Sequence, residues 1–245
     1  MAGNERHMPV NMNHLKTQIL ILGFLISFCM VGCAGRNAVV EKPANELIDE
    51  GILQFNKGNY RKAIESFEQL KDWYPFSKFA ILAELKIADA HFQLEQYPDA
   101  VFAYEEFEKL HPRNEAVPYV IYQIGMSYYL QVDTVDRDQT AAHKAFAAFK
   151  RLIRQYPKDP YAHLAQGYVD NCIKSLAGHE FYVGIYYYRI KKYRAALERF
   201  KKLIIDYSDV GVHTKALSYI KNCETLLKIQ EETKSKEDEI YFMPE

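Results

Sequence analysis

The sequence predicts an all-α protein, a superhelix of about ten antiparallel helices built from repeated pairs. Three observations predict it. Apolar residues recur at i, i+3, i+4 and i+7 through most of the chain, the period of an amphipathic helix. Only 9 prolines and 11 glycines interrupt 245 residues. Four segments also repeat one another in register, each with a small residue, an aromatic residue a turn later and a Tyr or His followed by Pro or Ser. Self-similarity at such a period marks a stack of helical units.

In chain order, the first element is a short apolar run, residues 19–31, preceded by Lys16 and followed by Gly32 and Cys33. A basic start, an apolar stretch and a small residue before a cut are the parts of a secretory signal. A transmembrane anchor is the competing reading. It needs about 20 apolar residues, and residues 32–41 are not apolar. With a cysteine just past the cut, residues 1–32 resemble a bacterial lipoprotein signal peptide. That resemblance implies that Cys33 carries S-diacylglycerol and N-acyl lipid and begins the mature chain. Met12-Asn13-His14-Leu15-Lys16 is a more ordinary signal opening than Met1, so Met12 is an alternative start. Residues 33–43 read as a lipidated, flexible tether.

The helical array is expected over residues 44–232. Its first repeat carries Gly58-Asn59-Tyr60, Ala63 and Phe67 and ends at Trp73-Tyr74-Pro75. The second carries Glu95-Gln96-Tyr97, Ala100 and Tyr104 and ends at Leu110-His111-Pro112. The third carries Ala145 and Phe149 and ends at Gln155-Tyr156-Pro157. The fourth carries Tyr193, Ala196 and Phe200 and ends at Asp206-Tyr207-Ser208. A residue before proline avoids the α region, so proline stops a helix; Ser208 departs from that pattern. An insertion at 131–139, with Asp133, Asp136, Arg137 and Asp138, separates the helices of the third unit. One additional helix is expected at about 160–176 and a closing helix at about 213–232. Residues 233–245 read as a polar, frayed tail.

These units resemble the tetratricopeptide repeat (TPR), a pair of antiparallel helices, and about five repeats are implied. Gly51, Ala88, Gly125 and Gly184 fall midway along the first helix of each unit, and Ala63, Ala100, Ala145 and Ala196 near the start of each second. Helices that cross closely leave no room there for a larger side chain. Phe67, Tyr104, Phe149 and Phe200 are expected to fill the gap to the next unit. In such stacks the first helices line a binding face. The groove positions of the repeat class map onto Ile48, Ile52, Phe55, Leu82, Leu85, Asp89, Phe92, Tyr119, Tyr122, Met126, Tyr129, Phe181, Ile185, Tyr188 and Arg189. Clamping an acidic tail needs cations to pair carboxylates, and this set holds almost none. It suits an aromatic-rich, extended segment, each buried aromatic contributing about 1.5–3 kcal/mol. Packing by the following helices is the other reading of the same stripe.

Formal charge is −1, which makes no electrostatic case for nucleic acid. Cys29 leaves with the signal, so Cys172 and Cys223 are the remaining thiols. Either they pair in an oxidising compartment or they are buried helix cysteines. No H-E-x-x-H, G-x-S-x-G, P-loop or C-x-x-C motif occurs and the eight histidines are scattered, so no enzyme, metal site or cofactor is expected beyond the lipid on Cys33.

Four segments are specific beyond the general pattern: Trp73-Tyr74-Pro75-Phe76-Ser77, Tyr119-Val120-Ile121-Tyr122-Gln123-Ile124-Gly125, Asp136-Arg137-Asp138, and Leu176-Ala177-Gly178-His179-Glu180-Phe181-Tyr182-Val183-Gly184, of which notably Asp136-Arg137-Asp138 and His179-Glu180 are not required by the repeat. On these the chain resembles the BamD (ComL/YfiO) family, TPR lipoproteins of the outer-membrane β-barrel assembly machine. The resemblance implies a lipid-anchored protein on the periplasmic face of the outer membrane. Implied partners are the POTRA region of an Omp85-type barrel, unfolded outer-membrane proteins and accessory lipoproteins. It implies a substrate position at Tyr74 and a barrel-partner position at Arg199; of the groove positions mapped above, Phe55, Phe92, Tyr122 and Tyr129 then fall on the substrate side and Phe181 and Tyr188 on the partner side. Barrel strands with aromatic girdles suit an apolar groove. Ser77 departs from the family, which often has glycine there. The alternative is another TPR envelope lipoprotein, such as a secretin pilotin or a cell-envelope scaffold.

Overall fold

The computed structural model describes residues 41–241. The signal, Cys33 and most of the tether lie outside the described residues. Nine helices occur among the described residues: α1 (Ala44–Asn56), α2 (Tyr60–Trp73), α3 (Ala80–Gln93), α4 (Tyr97–Leu110), α5 (Val117–Tyr129), α6 (Thr140–Gln155), α7 (Pro160–Arg189), α8 (Tyr193–Asp206) and α9 (His213–Tyr241). Each packs on its neighbours in the chain, and α5 also meets α7. The core is correspondingly serial, with buried clusters at α1–α3, α3–α6, α5–α7 and α7–α9. Each unit buries its apolar face against the next, the defining property of a solenoid.

The small residues are required by ring edges. An ideal Cβ on Gly51 would fall 2.2 Å from the Phe67 ring, on Gly125 2.5 Å from Phe149 and on Gly184 2.6 Å from Phe200. The same rings reach the following unit. Phe149 stacks on Tyr168 with centroids 5.4 Å apart, and Phe200 stacks on Tyr219 at 5.1 Å. In these two units one aromatic residue closes the crossing within its own pair and joins it to the next.

The turns repeat as well. Gly58, Glu95 and Lys191 take φ of 76°, 58° and 60°, and Asn59, Gln96 and Lys192 follow at ψ of 56°, 63° and 64°. Second helices end on Tyr74, His111 and Tyr156, with φ from −132° to −125° and ψ from 53° to 57°, each before a proline. Tyr207 precedes Ser208 and has ψ 142° instead.

Two expectations are corrected. The additional helix at 160–176 is the first half of α7, a continuous helix of 30 residues that also supplies the first helix of the fourth unit. No proline or left-handed residue interrupts 161–189, so nothing breaks it, and the described residues form nine helices against an expectation of about ten. The closing helix also continues past Glu232 to Tyr241. Cys172 and Cys223 are both buried and unpaired.

Candidate functional site

The family-specific run 176–184 lies on α7, where His179 and Glu180 each have a partner. Glu180 is 4% exposed. Its carboxylate accepts from Arg199 Nη1 at 3.1 Å and from Lys202 Nζ at 2.6 Å, both on α8. Burial pushes the Glu180 carboxyl up, but the hydrogen bonds and charges of Lys202 and Arg199 outweigh it and hold it below the ordinary range. The Glu180 hydrogen bond pushes Lys202 up in turn. One negative charge faces two cations, which leaves a net positive, half-exposed surface at Arg199 and Lys202. Arg199 is therefore an internal ion-pair partner as well as a surface cation. Spacing within the repeat could not reveal this, because its partner lies on the preceding helix.

His179 and Gly178 hold the insertion. His179 Nδ1 lies 2.6 Å from the Val135 carbonyl oxygen. A Cβ on Gly178 would stand 3.0 Å from Val135 Cγ1, so a side chain there would press on the loop and the glycine eases its close approach. Ser175 donates to Gln139 Oε1 at 2.7 Å, and the buried Gln139 amide donates to the carbonyls of Thr134 and Arg137. Asp138 accepts from Thr140 N and Asp136 from the Thr134 hydroxyl; those hydrogen bonds hold both exposed carboxyls below the ordinary range. The Asp136-Arg137-Asp138 segment is a loop docked on α7.

The N-terminal positions lie on α1–α5. Phe55 meets Tyr60 edge-on at 5.2 Å, with Lys86 Nζ 4.9 Å from its ring centre. Phe92 meets Tyr97 edge-on at 5.9 Å. Tyr74 ends α2, half-buried against the α1–α3 core. Pro75 and Phe76 follow it, and Phe76 is fully exposed. Ser77, the departure from the family, caps the turn by accepting from Phe79 N at 3.2 Å. Asp89 is 5% exposed and accepts from the Tyr104 and Tyr119 hydroxyls, each at 2.8 Å, and from Lys86. It ties α3, α4 and α5 together and offers no carboxylate to a ligand.

Further along, α7 covers part of the stripe. Tyr122 meets Phe149, Tyr161 and Tyr168 at 5.3–6.1 Å. Burial, followed by the Tyr168 hydrogen bond, pushes its hydroxyl up to about 12. Tyr129 lies edge-on to Tyr168 at 4.8 Å and accepts from Asn171. The five positions are thus split, with Phe55, Tyr74 and Phe92 on α1–α3 and Tyr122 and Tyr129 under α7. At the other end, Phe181 packs on Phe200 and Tyr219, and Tyr188 on Tyr193 and Tyr219. Phe181 also lines a recess of about 650 Å³; sequence reasoning mapped Phe181 but missed the recess around it, which needs Val135 of the insertion and Lys215 of α9. Among the described residues no group of His, Cys, Asp and Glu could hold a metal ion, and no helix is long and apolar enough to cross a membrane.

Comparison with known proteins adds the family. The model of the family described as YfiO, outer membrane lipoprotein, matches residues 40–239. The outer membrane protein assembly factor BamD of Caulobacter vibrioides is 28% identical over 221 residues, covering 88% of this chain and 72% of the relative. BamD of Rickettsia prowazekii is 28% identical over 225 residues, covering 92% and 89%. Among solved structures, a thermophilic TPR protein of Thermus thermophilus superposes with a TM-score of 0.41 at 16% identity, over 73% of this chain and 99% of that one.

Proposed function

The chain belongs to the YfiO family of outer membrane lipoproteins, and on that basis we propose that it is an outer membrane protein assembly factor acting as a non-catalytic scaffold. One observation carries the reading: family membership spans the whole helical array, and the run 176–184, whose His179-Glu180 is not required by the repeat, is built into a docked loop and an ion-pair cluster. These residues organise a surface at the α7–α8 end of the array.

In this reading Cys33 carries the lipid and the tether holds the array at the periplasmic face of the outer membrane. The C-terminal repeats bind an Omp85-type barrel protein, with Phe181 and Tyr188 supplying apolar area and Arg199 the charge. Glu180 takes only part of the charge that Arg199 and Lys202 bring. Guanidinium N–H groups not used by Glu180 are then available to a carboxylate of the partner, a charge-assisted contact. The N-terminal repeats, with Phe55, Tyr74, Phe92, Tyr122 and Tyr129, receive aromatic-rich segments of unfolded barrel proteins. Each aromatic buried contributes about 1.5–3 kcal/mol, so a few give binding that is useful and reversible. The affinity is supplied by burial and charge pairing, and no bond is made or broken.

Affinity capture of the tagged full chain from detergent-solubilised envelopes tests this. It recovers an Omp85-type barrel protein, and mass spectrometry of the bait finds a triacylated N-terminal Cys33. Recovery of a secretin, or of no barrel protein with the bait intact, contradicts the reading.

A further inference from the structure

The recess of about 650 Å³ between the second half of α7, the insertion and the start of α9 has a composition unlike the rest of the stripe. Its volume is in the range of pockets that hold ligands, about 300–1,000 Å³. Phe181 and Ile185 form apolar walls. Tyr182 and Tyr186, one helical turn apart, line it with 48% and 55% of their surfaces exposed. Arg189 and Lys215 are the charged residues of its lining, which contains no acid. Neither has a side-chain hydrogen bond or ion pair among the described residues.

Among the described residues Lys191, Lys192, Lys221 and Lys228 share that lack of partners, while other cations of this end are paired. At this end of the array Arg194 pairs with Glu231, Lys201 with Glu224, and Arg199 and Lys202 with Glu180. The two cations of the recess stay unneutralised beside apolar walls and are exposed, so they are open to an incoming opposite charge. A wholly apolar occupant would leave both charges without a counterpart. A wholly acidic one would leave the tyrosines uncovered.

We propose that this recess binds an internal segment of a partner polypeptide in which aromatic side chains alternate with acidic ones, the aromatic rings lying on Tyr182 and Tyr186 and the carboxylates pairing with Arg189 and Lys215. This rests on the reading of the array as a binding scaffold and assigns the recess a ligand chemistry distinct from that of the N-terminal stripe. Nucleotide or phosphate binding is the weaker fit, because two monovalent cations on a chain of net charge −1 make no phosphate-binding surface.

The test is fluorescence anisotropy of the full chain in detergent with a labelled peptide, acetylated and amidated at its ends, that alternates Phe or Tyr with Glu. A second peptide replaces each Glu with Gln. The Glu peptide binds at least tenfold more tightly, and the difference disappears in the Arg189→Glu, Lys215→Glu double variant. Tyr182→Ala with Tyr186→Ala weakens both peptides alike. None of the four residues is buried, so the variants keep full helical content by circular dichroism. Equal binding of the two peptides, no binding of either, or displacement of the Glu peptide by millimolar inorganic phosphate overturns the proposal. A chain that captures the barrel protein and ignores the peptide refutes the recess alone.

Discussion

Alanine at position 125 would place a carbon 2.5 Å from the buried Phe149 ring, whose face is already committed to Tyr168. The ring cannot step aside without losing that stack. Overpacking of this kind costs about 1–3 kcal/mol, so Gly125→Ala lowers the melting temperature, while Gly167→Ala, with nothing within 4 Å, does not. Glu180 makes a second prediction at this scale. Its carboxyl is held down in the folded state by Lys202 and Arg199. The stability it contributes is therefore present above the ordinary glutamate value of about 4.3 and is lost as pH falls through the lower folded value. Glu180→Gln leaves two cations facing an amide and costs about 1–3 kcal/mol at pH 7. In thermal melts from pH 7 to pH 3 the gap between the variant and the parent narrows with acid. A constant gap would mean that the carboxylate charge is not what holds the pair.

Among elements, the insertion is the part whose role changes most between sequence and structure. In sequence, 131–139 is a charged loop between helices. In space it is docked on α7 through His179, Gly178 and the Ser175–Gln139 bond. His179→Ala removes one hydrogen bond worth about 1 kcal/mol. Amide exchange at 133–138 should quicken by up to about tenfold while exchange in α5 and α6 stays unchanged; uniform quickening would show that the histidine holds the whole fold. Helix ends were legible where local chemistry decides them, as at Tyr74, His111 and Tyr156 before prolines. Gly51, Gly125 and Gly184 were legible because a close crossing admits little else. The fusion of two expected helices into α7 was not, because repeat matching divides a chain at unit boundaries whether or not the backbone breaks there. The partners of Arg199 and His179 were hidden for a related reason. They are set by which helix faces which, and a single sequence does not record that.

Across the whole molecule, serial core clusters mean that each unit is stabilised by its neighbours alone. The Asp89 node illustrates the consequence. Burial and the Asp89 carboxylate push the Tyr104 and Tyr119 hydroxyls well above their ordinary value. A raised value in the folded state is stability held at neutral pH and lost above the unfolded value of about 10. Alkali should therefore loosen the α3–α5 joint, and exchange there should rise at pH 10–11 before exchange in α8–α9. In the proposed reading the same serial arrangement separates two binding chemistries along one scaffold: an aromatic stripe at α1–α5, and at α7–α9 a charged ion-pair surface beside a recess with two cations. The scaffold's promotion of outer membrane protein assembly is open to direct measurement. A β-barrel substrate is folded into liposomes that hold the Omp85-type barrel protein, with and without the lipidated full chain, and the heat-modifiable mobility of the folded barrel is followed. Folding should be faster and the folded yield higher when the chain is present. An unchanged rate and yield, with the chain bound to the liposomes, would refute the assembly role.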